Sequence, residues 1–190
     1  MAKIQLPADT LLTPTPVALV SCQVPGERPN LITIAWLGVA SSGPPQISIA
    51  IRPSRHSFKI IEKTRECVVN IPSESMVEAV DICGIKSGRN NDKWALTGLT
   101  PVYGTQVAAP MVAEAPICME CKVREVLDLN MHHLFVCEVV ALHVEENATP
   151  EGKKLDIAQV APICYIPATH EYRAMGKVLG LAGFSLDKLR

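Results

Sequence analysis

RPNLITIAWLGVASSGPPQISIAIRPSRHSF, residues Arg28 to Phe58, holds two runs rich in Val and Ile joined by a Ser-Gly-Pro-Pro turn. Its second run leads straight into a helical pattern. Upstream, VALVSCQ (Val17 to Gln23) is a third run of the same kind, linked through VPGERPN, where Pro25, Gly26 and Pro29 make a hairpin-type connection. Downstream lie ECVVNI (Glu66 to Ile71) and two long runs, ICMECKVREVLDL and HLFVCEVVALHVE, which meet at a hairpin tip near Asn130 to His132. Six β runs with hairpin links, several apolar on both faces, predict a mainly β fold: a closed or nearly closed antiparallel β-barrel with a few α-helices. The helical patterns are short. SRHSFKIIEKT carries Phe58, Ile60 and Ile61 on one side, and SESMVEAVDICG opens at Ser73 and Glu74 and is expected to stop at Gly84. Both are expected to lid the barrel, and the polar loop from Lys86 to Gly98 is expected to hold one helical turn near DKWAL.

The junction IRPSRHSF gathers an unusual number of donors. Ser54 and Ser57 bring hydroxyls, Arg52 or Arg55 a guanidinium and His56 an imidazole, all at the positive end of a helix. Free amides and the helix dipole favour an anion there, so the stretch reads as a phosphate seat. The plainer alternative is a serine that caps the helix. The lack of glycine excludes a Walker or Rossmann loop without excluding a phosphate. Asn30, Thr33 and Trp36 interrupt the neighbouring apolar run, and such groups can bond to a heterocycle or stack on it. Thr33 reads equally as a β former, and Trp36 as a core aromatic.

Composition narrows the classes. The chain has 190 residues and is expected to form one domain over 1–190. Its hydrophobic share of 48% and mean hydropathy of +0.20 are high, yet no run reaches the length of a spanning helix. Some of that apolar surface is expected to be covered by a second copy, as a homodimer. A net charge of −1 with interspersed signs leaves no basic stripe for nucleic acid. The Pro-rich N-terminus does not read as a secretory signal, and the seven cysteines show no disulfide spacing, so a cytoplasmic protein with free thiols is expected. Cys118 and Cys121 have the spacing of a metal pair. They lie on a strand, where residues three apart face opposite ways, so no metal site is expected.

The order N-L-I-T-I-A-W, Ser-Gly-Pro-Pro, apolar strand, R-x-S-R-H-S, helix and E-C-V-V-N-I-P resembles the flavin reductase-like family, and especially its flavoredoxin branch. DICGIKSGRNNDKW, HHLFVCEV and YRAMG add to the resemblance, which runs from about Pro14 to Gly176. It implies the FMN-binding split barrel, a Greek-key, six-stranded antiparallel barrel that pairs into dimers with FMN near the junction. Carried over by residue, Asn30, Thr33, Ala35 and Trp36 would border the isoalloxazine and ribityl chain. Ser54, His56 and Ser57, with Arg52 or Arg55, would hold the FMN phosphate. Asn70, Lys86, Ser87 and Lys93 would be secondary contacts, with Lys86 to Lys93 reaching across a dimer interface. His132 would lie near the nicotinamide or the open flavin face. Cys137 stands where the family pattern often has Gly, a departure that bears on the second substrate.

The implied activity is an FMN-dependent oxidoreductase that takes electrons from NAD(P)H and passes them to a flavin, ferric iron or a protein acceptor. The alternatives are a flavoredoxin-like carrier exchanging electrons only with a redox protein partner, and a ligand-binding barrel without turnover. No hydrolytic triad or metalloprotease motif is visible, as expected where the cofactor supplies the chemistry.

Overall fold

The computed structural model describes residues 1–150 and 154–186. In chain order it has β1 (Thr15–Pro16), β2 (Ala18–Cys22), β3 (Asn30–Ile34), β4 (Leu37–Ser42), β5 (Pro45–Ile51), α1 (His56–Thr64) and β6 (Glu66–Ile71). Then follow α2 (Val77–Ile85), α3 (Lys93–Thr97), β7 (Pro101–Tyr103), β8 (Pro110–Val112), β9 (Ile117–Leu129), β10 (His132–Val144), α4 (Ile157–Val160), β11 (Ile163–Ile166) and β12 (Glu171–Ala174). The main sheet has seven strands in the order β3-β2-β6-β9-β10-β5-β4, all antiparallel.

The six β runs of the sequence become seven strands because LITIAWLGVA breaks at Ala35 and Trp36. Its halves, β3 and β4, stand at opposite ends of the strand order, so two residues of chain join the two edges and the sheet curls into a barrel whose two edge strands are not hydrogen-bonded to each other. Ala50 N–H donates to Trp36 O across 2.8 Å, tying the break to β5. The fold is the expected mainly β barrel.

Strand alternation feeds two cores. Ala18, Val20, Cys22, Cys67, Val69 and Phe135 point into the barrel, and Leu19, Leu31 and Val68 point outward beneath α2, α3 and the β7–β8 loop. Both faces are covered, which is why these strands read as continuous apolar runs. Cys118 and Cys121 fall into different cores, on opposite faces of β9. Among the described residues, no group of three His, Cys, Asp or Glu side chains converges on a metal position. No described helix is long and apolar enough to cross a membrane.

α1 closes one end of the barrel with Phe58, Ile60 and Ile61, and Phe58 meets Phe135 edge to face at 5.5 Å. It stops at Arg65, a left-handed residue whose N–H bonds Ile61 O at 2.9 Å. α2 runs through Gly84, where a stop was expected, and ends at Ile85. Gly84 lies against Thr33 of β3, at 3.5 Å from an ideal Cβ, and packing on that strand outweighs glycine's weak helical preference. Asp92 caps α3 by accepting from Trp94 and Ala95 N–H.

The remaining strands were not anticipated. β7 pairs with β8, and β1, β11 and β12 form a three-stranded sheet. Tyr165 of β11 and Tyr172 of β12 help to wall the cavity described next.

Candidate functional site

The break at Ala35–Trp36, the start of α1, the end of α2 and the sheet β1-β11-β12 surround two adjoining cavities. The larger, about 480 Å³, has apolar walls from Ile32, Ile34 and Ile51, with Trp36, Arg52 and His132 on one side. The smaller, about 200 Å³, is lined by the start of α1 and the loop after α2. Ile32, Arg55 and Gly84 line both, so the two are chambers of one site.

The smaller chamber gathers hydrogen-bond donors and basic side chains. Arg55 is the N-cap of α1, in an extended conformation with no side-chain cap bond, so the plain capping role for serine is not realised. The leading amides of the helix are left for a ligand or solvent. Ser54, His56 and Ser57 line the chamber together with Lys86, Ser87 and Lys93, and no carboxylate does. Asn30 Nδ2 donates to Ser57 Oγ at 2.6 Å, and both side chains are buried. Gly88 presses on this pair: a Cβ there would stand 1.8 Å from Asn30 Oδ1.

Lys93 is only 4% exposed, and its ammonium donates to Leu31 O and Cys83 O, each at 2.7 Å. Burial is the main cause that brings its pKa down to about 8. His56 is held below the ordinary histidine value, first by burial and then by Arg89, Lys93 and Arg28. Burial pushes the Cys22 thiol up to about 12 and Cys83 to about 11, so neither supplies a thiolate.

The larger chamber has two unlike walls. On one, Trp36 and His132 lie parallel, with ring centroids 6.3 Å apart and planes at 4°, and Arg52 Nε donates to His132 Nε2 at 3.3 Å. That bond leaves the imidazole proton on Nδ1. Burial, then Arg52 and Arg55, lowers the His132 pKa. On the other wall Tyr165 Oη bonds His170 Nδ1 at 2.8 Å, and Tyr172 Oη donates to Asp81 Oδ1 at 3.4 Å.

Most of the residues singled out in the sequence gather here. Asn30, Ser54, His56, Ser57, Lys86, Ser87 and Lys93 meet in the smaller chamber, and Thr33, Ala35, Trp36, Arg52 and His132 in the larger. Lys86, Ser87 and Lys93 line the chamber of their own chain. Arg55 lines both chambers and Arg52 only the larger, which separates the two guanidiniums. Trp36 is 43% exposed, not a core aromatic. Thr33 lines the chamber, but its hydroxyl is taken by Val80 O at 2.5 Å. Cys137 is fully buried in the barrel core and touches neither chamber.

Asn70 does not join them. It is fully buried, with Nδ2 donating to Leu19 O at 2.9 Å and Oδ1 accepting from Val112 N–H at 2.9 Å. Its polarity ties β6 to β2 and β8, a structural duty that a polar residue in an apolar strand fulfils as well as ligand binding. Sequence reasoning passed over Tyr165 and His170 and took in Asp81 and Gly88 only as part of DICGIKSGRNNDKW. Tyr172 entered only as part of YRAMG. These residues come from distant segments, and only the docking of β11 and β12 on the barrel brings the tyrosines to the chamber.

A family model described as flavin reductase like domain matches residues 10–173. The flavoredoxin of Desulfovibrio vulgaris (Miyazaki F) superposes with a TM-score of 0.90 at 35% identity, covering 97% of this chain and 99% of the other. A flavoredoxin from Methanosarcina acetivorans gives a TM-score of 0.92 at 29% identity, with both chains covered completely. An uncharacterized protein of Pyrococcus abyssi is 35% identical over 128 residues, 67% of this chain and 73% of that protein.

Proposed function

The chain belongs to the family of flavin reductase like domains, and from that premise we propose that it binds FMN and passes electrons from NAD(P)H to a flavin, ferric or protein acceptor. The observation that carries this reading is the uncapped start of α1, which opens into a cationic chamber free of carboxylates beside a second chamber of ring size. The donor set fits a phosphate: helix amides, Ser54 and Ser57 hydroxyls, the Arg55 guanidinium and the Lys93 ammonium. The apolar walls of the larger chamber suit a flat heterocycle, with Ala35 and Trp36 at its edge.

When bound, FMN supplies hydride acceptance and one- or two-electron transfer. The protein's residues orient and tune. Asn30 fixes the Ser57 hydroxyl, and the absence of a side chain at Gly88 leaves Asn30 the room it occupies. Thr33 anchors β3 to α2 through Val80. His132, kept neutral by burial and two guanidiniums, presents Nδ1–H at the rim, where it can donate to an incoming substrate.

Titration with FMN and riboflavin tests the anion seat. Arg55→Ala with Ser57→Ala is expected to weaken FMN much more than riboflavin, and equal losses would place the phosphate elsewhere. Mixing flavin-loaded protein with NADH or NADPH tests turnover. Bleaching of the flavin band at about 450 nm supports the reductase, and no bleaching with either nucleotide removes it.

Similarity to two flavoredoxins favours a second reading, an electron carrier that exchanges only with a redox protein partner. We also read the protein as a homodimer, because β4 is an edge strand on which Val39 is 84% exposed. Sedimentation of purified protein as a monomer at micromolar concentration would remove this reading.

A further inference from the structure

Arg52 has no part in the anion seat. It lines the larger chamber only, is exposed, and among the described residues its one side-chain bond is with a neutral imidazole nitrogen, His132 Nε2, at 3.3 Å. Among the described residues, no carboxylate forms an ion pair with Arg52. Arg55 adds a second guanidinium on the same chamber, with no ion pair among the described residues, and Asp81, the chamber's carboxylate, is engaged by Tyr172 on another element. Beside Arg52, Trp36 exposes its indole parallel to His132. A flat apolar surface and a fork of donors therefore stand side by side at the chamber's rim.

We infer that Arg52, flanked by Trp36, is the docking group for the molecule that exchanges electrons at this site, and that this molecule is a small planar aromatic carrying an anionic group. The inference rests on the proposed flavin site and names the class of its second substrate. The aromatic body lies on the exposed indole. The carboxylate, sulfonate or phosphate takes a bidentate bond from the guanidinium, displacing the weaker bond to His132 Nε2. His132 then loses its positive neighbour to an anion and gains affinity for a proton, which readies it beside the docked molecule.

The test uses two redox-inert isosteres, naphthalene-2-sulfonate and neutral naphthalene-2-sulfonamide, titrated calorimetrically into the protein with and without FMN. The sulfonate is expected to bind about tenfold to a hundredfold more tightly, with a gap that shrinks in salt. Arg52→Gln is expected to close the gap, whereas Arg55→Gln leaves most of it. The His132 ring resonances should titrate at higher pH when the sulfonate is present, in the parent protein but not in Arg52→Gln. Equal binding of the two isosteres, or a gap that survives Arg52→Gln, overturns the inference. An Arg52-dependent gap in a protein that fails to bind FMN would uphold the docking role and instead remove the flavin reading.

Discussion

Replacing Gly88 by Ala should damage the anion seat from behind. An ideal Cβ at this position would stand 1.8 Å from Asn30 Oδ1, 2.6 Å from Cγ and 3.1 Å from Nδ2. Carbon and oxygen need roughly 3.0–3.5 Å, so one side must retreat by more than about an ångström. If Asn30 moves, the 2.6 Å bond to Ser57 Oγ is lost inside the protein, a cost of about 1–3 kcal/mol. If the loop retreats instead, Lys86 and Ser87 leave the chamber with it. Either route weakens the hold on a phosphate, and about 1–3 kcal/mol corresponds to roughly fivefold to 150-fold in affinity. Fluorescence titration with FMN and riboflavin reads the effect, which should fall mainly on FMN. Where Asn30 yields, the melting temperature should drop by about 2–4 °C for each kcal/mol. A double-mutant cycle gives the sharper check. In an Asn30→Ala background the obstacle is gone, so Gly88→Ala should add little. An unchanged FMN affinity in Gly88→Ala, or full additivity with Asn30→Ala, would refute the reasoning.

Three further outcomes follow from buried groups. FMN affinity should be flat from about pH 7 to 8 and then decline, because above a pKa of about 8 the free protein has lost the Lys93 proton that binding must restore; Lys93→Met should bind more weakly at pH 7 and lose that decline. Glu120 is fully buried, and although burial opposes its charge, His143 and the amides of Gln106, Val107 and Thr105 hold its carboxyl below the usual range. Its stabilisation is therefore complete above about pH 4.5 and is lost as pH falls through the folded value. Glu120→Gln should lower stability by about 2–4 kcal/mol in denaturant titrations at pH 7 and flatten the acid limb. Of the seven cysteines six are buried and only Cys164 is partly exposed, so a thiol reagent should modify one residue quickly in the native protein and the others only on unfolding; rapid modification of Cys67, Cys121 or Cys137 would mean that the barrel opens readily.

The local pattern carried much of the fold. Val- and Ile-rich runs bounded by Pro and Gly placed the barrel strands, and the apolar spacing of Phe58, Ile60 and Ile61 placed α1. β7, β8, β11 and β12 escaped notice because they are only three or four residues long, too short to show an alternating pattern, even though β7 pairs with β8 and β11 with β12 nearby in the chain. Asn70 shows the limit at the site. Its polarity is visible in ECVVNI, but whether a buried amide serves a ligand or three strands depends on which face of β6 it occupies.

By itself the sequence determined that a β barrel forms and that donors crowd the start of α1, because period-2 alternation and helix initiation are properties of neighbouring residues. Which guanidinium reaches the smaller chamber was a tertiary matter. Arg52 and Arg55 are three residues apart across a strand-to-helix turn, and the path of that turn over β3 and α2 sends Arg55 to both chambers and Arg52 to the rim beside His132. The pressure of Gly88 on Asn30 and the tyrosine wall were likewise decided only when distant segments packed together. Contacts of that kind depend on where whole elements dock, which no single stretch of chain encodes.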